Sequence, residues 1–224
     1  MSAIFDLHCD TLTGLMAPGR GPDTLNDPRS AFALCRLPAG RHWAQCCAVF
    51  VPDGLPEEEA LPFFRRHEEN FRRQGARFAG RAQICRTAGE AEAAWSRDRA
   101  ALFLTVENGA VLGRDLGRAA ELARAGVVMV TLTWNGENAI GSGSGTEHGL
   151  SAFGREAAAE LLRQGMVLDV SHLNDRGFWE LMEETDAPVA ASHSNARALC
   201  PHPRNLTDSQ AREIARRGGL VGLN

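Results

Sequence analysis

The stretch VLDVSHLNDRGFWELMEETDAPVAASHSNARALCPHPRN, residues 167–205, decides the fold. Two short apolar runs, 167–170 and 188–191, each end in Ser-His, and a helix-sized segment, 175–184, lies between them. Read as parallel strands joined by a helical crossover, the stretch puts each imidazole at the C-terminal tip of a strand, where α/β sheets and barrels build their sites. His172 and His193 then become neighbours. Either histidine alone would read as a hydrogen-bonded residue at a strand end. The repetition points instead to a pair of ligands for a borderline metal such as zinc.

Working outward, the same alternation runs through the chain. Residues 3–7 form a short apolar run followed at once by His8-Cys9-Asp10, and residues 45–51 form a second strand ended by Pro52-Asp53-Gly54. Helical patterns over 57–74 and 88–99 lead to a third strand, 101–106, with Glu107 at its tip. A helix over 115–125, stopped by Gly126, precedes a β-branched strand at 127–133. The polar, glycine-rich segment WNGENAIGSGSGTEHG that follows has no nucleotide-loop pattern and reads as a flexible active-site loop. A helix over 153–164 leads into the two histidine strands; Thr207-Asp208-Ser209-Gln210 then opens a capped helix to about residue 217, and residues 219–223 start a seventh strand. Residues 11–40, rich in Gly, Pro, Asp and Asn, read as a long irregular excursion of the kind that walls or covers a pocket.

Seven strands alternating with helices, without a hairpin signal, call for a parallel sheet. Because the candidate ligands sit at several strand tips and must meet at one point, a closed α/β barrel of the TIM type, (β/α)8, is expected over an open sheet. Such a barrel usually takes about 250 residues and eight strands. Seven are legible here, so residues 1–224 read as a single barrel domain cut off after strand seven.

Composition narrows the chemistry. With 44% hydrophobic and 23% charged residues the chain is an ordinary globular one, and a net charge of −4 gives no reason to expect nucleic acid or an anionic membrane as partner. All 24 basic residues are arginine and tyrosine is absent, which excludes lysine nucleophiles, Schiff bases and a tyrosine acid or base. Six cysteines show neither a CxxC pair nor a regular framework, and the N-terminus has no signal-peptide pattern; reduced thiols and a cytoplasmic location are expected.

The tip residues are His8, Asp10, Glu107, His172 and His193. Side chains at i and i+2 of an extended segment point the same way, so His8 and Asp10 can grip one ion while His172 and His193 hold a second. Glu107, with two oxygens, can bridge them. A pair of divalent ions so held binds a water between them, lowers its pKa and polarises a carbonyl or phosphoryl oxygen, which makes metal-assisted hydrolysis the expected reaction class.

These residues resemble the membrane (renal) dipeptidase family, dizinc peptidases of family M19 on a barrel fold. The likeness is carried by Asp6-Leu7-His8-Cys9-Asp10, Val106-Glu107-Asn108-Gly109, residues 129–133 with Asn138, GLSAFGRE at 149–156, LDVSH at 168–172, SHSNAR at 192–197 and HPRNLTD at 202–208. The resemblance implies two zinc ions per chain, the five ligands in the roles just given, and Arg204 pairing with the free carboxylate of a dipeptide whose C-terminal residue can be of the D form. A planar guanidinium suits that job because its bidentate pairing fixes orientation as well as energy. The sequence departs from the family in two places. Trp134 stands where mammalian members carry a substrate-contacting histidine; an indole can pack on substrate or simply fill the barrel, but it cannot carry a proton. The family's acid/base aspartate, at the end of the eighth strand, has no counterpart up to Asn224.

Three functions follow from these residues. The first is a zinc dipeptidase working through a metal-bridging hydroxide. The second is another binuclear barrel amidohydrolase, disfavoured because that class often opens with His-x-His and uses a carboxylated lysine. The third is an incomplete metal-binding fragment without catalysis. An open barrel edge would also favour a homodimer, or a second chain that completes the barrel.

Overall fold

The computed structural model describes residues 3–17, 19, 24–38 and 40–224, so part of the irregular excursion expected over 11–40 lies outside the described residues. The chain gathers into two compact units, Met1–Phe50 with Phe63–Thr105, and Val51–Pro62 with Val106–Asn224.

In the first unit β1 (Ala3–Asp6) pairs in parallel with β2 (His42–Phe50), Ala3 opposite His42 and Asp6 opposite Gln45. The excursion between them holds a short helix, α1 (Thr11–Leu15), and a 3-10 turn at Leu34–Arg36. Thr11 ties it back by accepting the Phe32 N–H at 2.8 Å. Helix α2 (Glu57–Arg77) has three glutamates in its first turn and Arg77 in its last, matching the helix dipole. It runs through Pro62, and its buried face is built on Phe64 and Phe71. A three-residue strand, β3 (Ala82–Ile84), then pairs in parallel with β4 (Ala100–Glu107), and α3 (Ala88–Trp95) joins them, capped by Thr87. Every residue of β4 is buried, as its apolar run Ala100–Leu104 favours.

The second unit is a regular βα series. Helix α4 (Gly117–Ala125) ends on the left-handed Gly126 and leads into β5 (Val127–Thr131). Ser151 caps α5 (Ala152–Arg163), which precedes β6 (Val167–Asp169). Asn174 caps α6 (Asp175–Glu184), which precedes β7 (Ala190–Ala191). The Thr207–Gln210 capping box opens α7 (Asp208–Arg216), which precedes β8 (Leu220–Val221). β5, β6, β7 and β8 pair successively and in parallel.

All seven expected strands are present, and β3 is additional to them. The polar segment after β5 is more structured than a loose loop. It carries bridges pairing Glu137 with Ser142, Gly141 with Leu150 and Gly143 with Leu173. Among the described residues no helix is long and apolar enough to cross a membrane.

Candidate metal centre

Strand register builds the core of the site. Thr131 lies opposite Asp169, and Asp169 opposite Ala190, so the last residues of β5 and β6 stand level with the first of the two-residue β7 and the segments beyond them meet. Asp169 is wholly buried. Its Oδ2 accepts the Thr131 and Ser192 hydroxyls, each at 2.6 Å, and its Oδ1 accepts the N–H groups of Ser171 (3.0 Å) and Ser192 (2.9 Å). Burial pushes its pKa up, but the pull of His193 and of these donors outweighs it, and the carboxyl sits below its ordinary value.

Past this hub, His172 and His193 bring their Nε2 atoms to 3.0 Å. Glu107 Oε1 lies 3.0 Å from the first and 3.4 Å from the second. The other nitrogen of each ring assigns its tautomer. His172 Nδ1 stands 2.9 Å from Asn135 Oδ1, an acceptor, so that nitrogen carries the proton. His193 Nδ1 stands 2.7 Å from Ser192 Oγ, whose own hydrogen is given to Asp169, so it too donates. Burial, the largest influence, lowers the pKa of His172 against the opposing pull of the Glu107 carboxylate, which accepts from the protonated ring, and so favours the neutral, ligating imidazole. Two imidazole nitrogens and a carboxylate oxygen therefore face one point. A cation fits there: tetrahedral zinc with bonds of about 2.0–2.1 Å puts its ligand atoms about 3.3 Å apart.

The backbone around the ligands is strained in a way the surroundings enforce. His172 and Asn108 both have positive φ, 69° and 80°. Asn108, fully buried, follows Glu107 and spends both ends of its amide: Nδ2 donates to Val51 O and Asp53 Oδ1, each at 2.9 Å, and Oδ1 accepts from Ala110 N and from Asn138 Nδ2. Asn138 also donates to Leu132 O. Glu107 is thereby held at the end of β4 by a pair of asparagines that between them bond Val51 O, Ala110 N, Leu132 O, Ile140 N and Gly141 N.

In the first unit, His8 Nε2 lies 3.5 Å from Asp10 Oδ1, the neighbourhood expected of an i, i+2 ligand pair. Asp10 is the N-cap of α1 but makes no side-chain cap bond, which leaves its carboxylate available. Arg204 lies beside the second unit's cluster, Nη2 donating to His193 O at 2.7 Å and Nη1 to Ser194 Oγ at 2.8 Å. The Trp134 ring centroid is 6.1 Å from that of His172, and the indole is half-buried. Thus Glu107, His172, His193, Arg204 and Trp134 gather in one unit, and His8 with Asp10 in the other. The residues that sequence reasoning passed over are Asn135, Asp169 and Ser192. Asp169 and Ser192 sit in the motifs that carry the two histidines, and the signal that points to them is their position three residues and one residue before a ligand.

Parallel strands joined by helices, with two histidine nitrogens and a carboxylate oxygen converging beyond their ends, are the pattern of an α/β metal site. The chain belongs to the membrane dipeptidase family, peptidase family M19, whose model matches residues 1–224. Among solved structures it is similar to a dipeptidase described as a metallopeptidase of family M19, 29% identical with a TM-score of 0.89 over 99% of this chain and 72% of that one. It is also similar to a metallopeptidase from Rhodobacter sphaeroides liganded with a phosphinate mimic of the dipeptide L-Ala-D-Ala, 26% identical with a TM-score of 0.86 over 99% of this chain and 73% of that one. An uncharacterized protein in the pqqA 5′ region of Klebsiella pneumoniae is 37% identical over 160 residues, 66% of this chain. The match spans 58% of that relative's length.

Proposed function

We propose that this chain is a dizinc dipeptidase. In this reading His8 and Asp10 hold one ion, His172 and His193 the other, and Glu107 bridges. The observation that carries it is the convergence of His172 Nε2, His193 Nε2 and Glu107 Oε1 at 3.0–3.4 Å in a member of this family. Zinc bound there would supply a Lewis acid and a water acidic enough to attack a peptide carbonyl near neutral pH. The chain's own residues do the rest. Arg204, anchored on His193 O and Ser194 Oγ, still has N–H groups to offer and receives the substrate's free carboxylate. Trp134 offers an apolar wall beside His172. The Rhodobacter protein's L-Ala-D-Ala mimic supports a substrate whose C-terminal residue is of the D form. A cytoplasmic site of action accords with the six cysteines, all of them free thiols.

The test is amino-acid release from L,L and L,D dipeptides while zinc is titrated from none to two equivalents per chain. Release that saturates near two equivalents is expected. Two bound ions without release would leave the chain a metal-binding protein and overturn the dipeptidase reading.

A further inference from the structure

We propose a second ligand site, at the opposite ends of the first unit's strands from His8 and Asp10: a hollow that takes a planar ring carrying an anionic group. The residues that begin β2, β3 and β4 meet there, around a cavity of about 270 Å³. The Ala48 N–H donates to Cys9 O, which sets His8 level with about residue 47 of β2. His42 is five residues back along that strand, roughly 17 Å at about 3.3 Å per residue. The hollow is therefore separate from the metal ligands of this unit.

Its chemistry is one-sided. Among the described residues Arg41, Arg81 and Arg99 line it against a single carboxylate, Asp98, in a chain whose net charge is −4. Arg81 is fixed as wall, its guanidinium donating to Asn26 Oδ1 at 2.8 Å and Leu34 O at 2.7 Å. Arg41 and Arg99 make no side-chain hydrogen bond or ion pair among the described residues. The rest of the wall is largely apolar, with Leu34, Leu37 and Pro38 beside an aromatic cluster of His42, Trp43 and Trp95. His42 stacks on Trp95 at 5.1 Å and 7° between planes, and Trp95 Nε1 donates to Trp43 O at 2.9 Å. Unpaired guanidiniums beside fixed aromatic surface bind an anion bidentately and a flat ring by stacking. The volume lies just under the usual range for ligand pockets, which suits one ring with one phosphate or carboxylate group.

The experiment is a tryptophan-fluorescence titration of the zinc-loaded protein with phenyl phosphate, inorganic phosphate and benzyl alcohol. It is repeated on Arg41→Gln, Arg99→Gln and the double variant, each checked for native circular dichroism. Expected are saturable binding of phenyl phosphate, at least tenfold weaker binding of the other two probes, and at least a tenfold loss in the double variant with the single variants in between. Dipeptide hydrolysis should be unchanged by all three variants. The site is overturned by absence of saturation, by wild-type affinity in the double variant, or by benzyl alcohol binding as tightly as phenyl phosphate. Equal binding of inorganic phosphate would overturn the ring component. Failure of the dipeptidase reading would leave every fluorescence outcome unaffected.

Discussion

Asp169 Oδ2 accepts the Ser192 hydroxyl at 2.6 Å, and Ser192 Oγ in turn stands 2.7 Å from His193 Nδ1, so a carboxylate buried at the end of β6 governs which nitrogen of that imidazole faces the metal centre. A buried carboxylate is costly unless its lone pairs are met, and here four donors meet them. The hub is thus paid for locally, by β-strand register, and its effect is felt at the ligand.

Asp169→Asn should therefore weaken zinc binding as well as the fold. An amide offers one acceptor oxygen and turns an N–H2 toward hydroxyls that are already donors, leaving at least one of them unpaired at about 1–3 kcal/mol. Loss of a partner that orients a ligating histidine typically costs 10–100-fold in metal affinity. Zinc competition against a chromophoric chelator, alongside urea denaturation of the metal-free protein, separates the two effects. Unchanged zinc affinity would remove Asp169 from the metal centre.

Gly143 is the tightest position near the ligands. A Cβ there would lie 1.8 Å from Trp134 O and 2.6 Å from Asn135 C, backbone atoms that cannot swing aside. Gly143→Ala should cost about 1–3 kcal/mol as overpacking and displace Asn135, the partner of His172 Nδ1, so zinc affinity falls as well. Gly89→Ala in α3, where a Cβ would meet nothing within 4 Å, should instead be neutral or stabilise by up to about 1 kcal/mol. Thermal denaturation of both variants with and without zinc makes the comparison; similar midpoints would show that the loop after β5 yields.

If Arg204 holds the substrate carboxylate, Arg204→Ala should raise KM for dipeptides about 10–100-fold, the equivalent of a charge-assisted hydrogen bond worth about 1.5–3 kcal/mol. The effect should shrink toward nothing for the corresponding dipeptide amides, which have no carboxylate to lose. Steady-state kinetics on acid and amide pairs decides it. An equal effect on both would reduce Arg204 to a brace for His193 O and Ser194 Oγ.

The residues legible in the sequence were those whose chemistry is rare and whose position is periodic. His172 and His193 stood out because each ends an apolar run with the same Ser-His pair, and Glu107 because it follows a run of buried residues. β3 escaped because three residues carry no alternation that a pattern could register, and α1 because its five residues lie among turn formers. The partners of the ligands escaped for a different reason. Asn135 and Ser192 are common polar residues whose role depends on which atoms of other strands they meet, and Asp169 reads as one more strand residue until register sets it opposite Thr131. Pairing distance is a property of the folded sheet, whereas ligand type is written in the chain.

Part of the pH effect on stability should come from His67 in the first unit. His67 on α2 is 5% exposed; its Nδ1 lies 2.9 Å from Phe63 O, to which it donates, and its ring packs 4.1 Å from that of Phe63. Burial, aided by the charge of Arg66 and opposed by the Phe63 carbonyl, holds its pKa below the ordinary 6.5. Between that lowered value and 6.5 the unfolded chain binds more protons than the folded one, so stability rises with pH across this window. The contribution is complete above about 6.5 and is lost as pH falls through the window, because a charged imidazole must then be buried among apolar groups or exposed. Metal-free protein should accordingly show a melting temperature that drops from pH 7.5 to 5.5, and His67→Gln, which cannot take up that proton, should show a shallower drop. Parallel slopes in the two proteins would assign the acid sensitivity to other groups and leave His67 as packing alone.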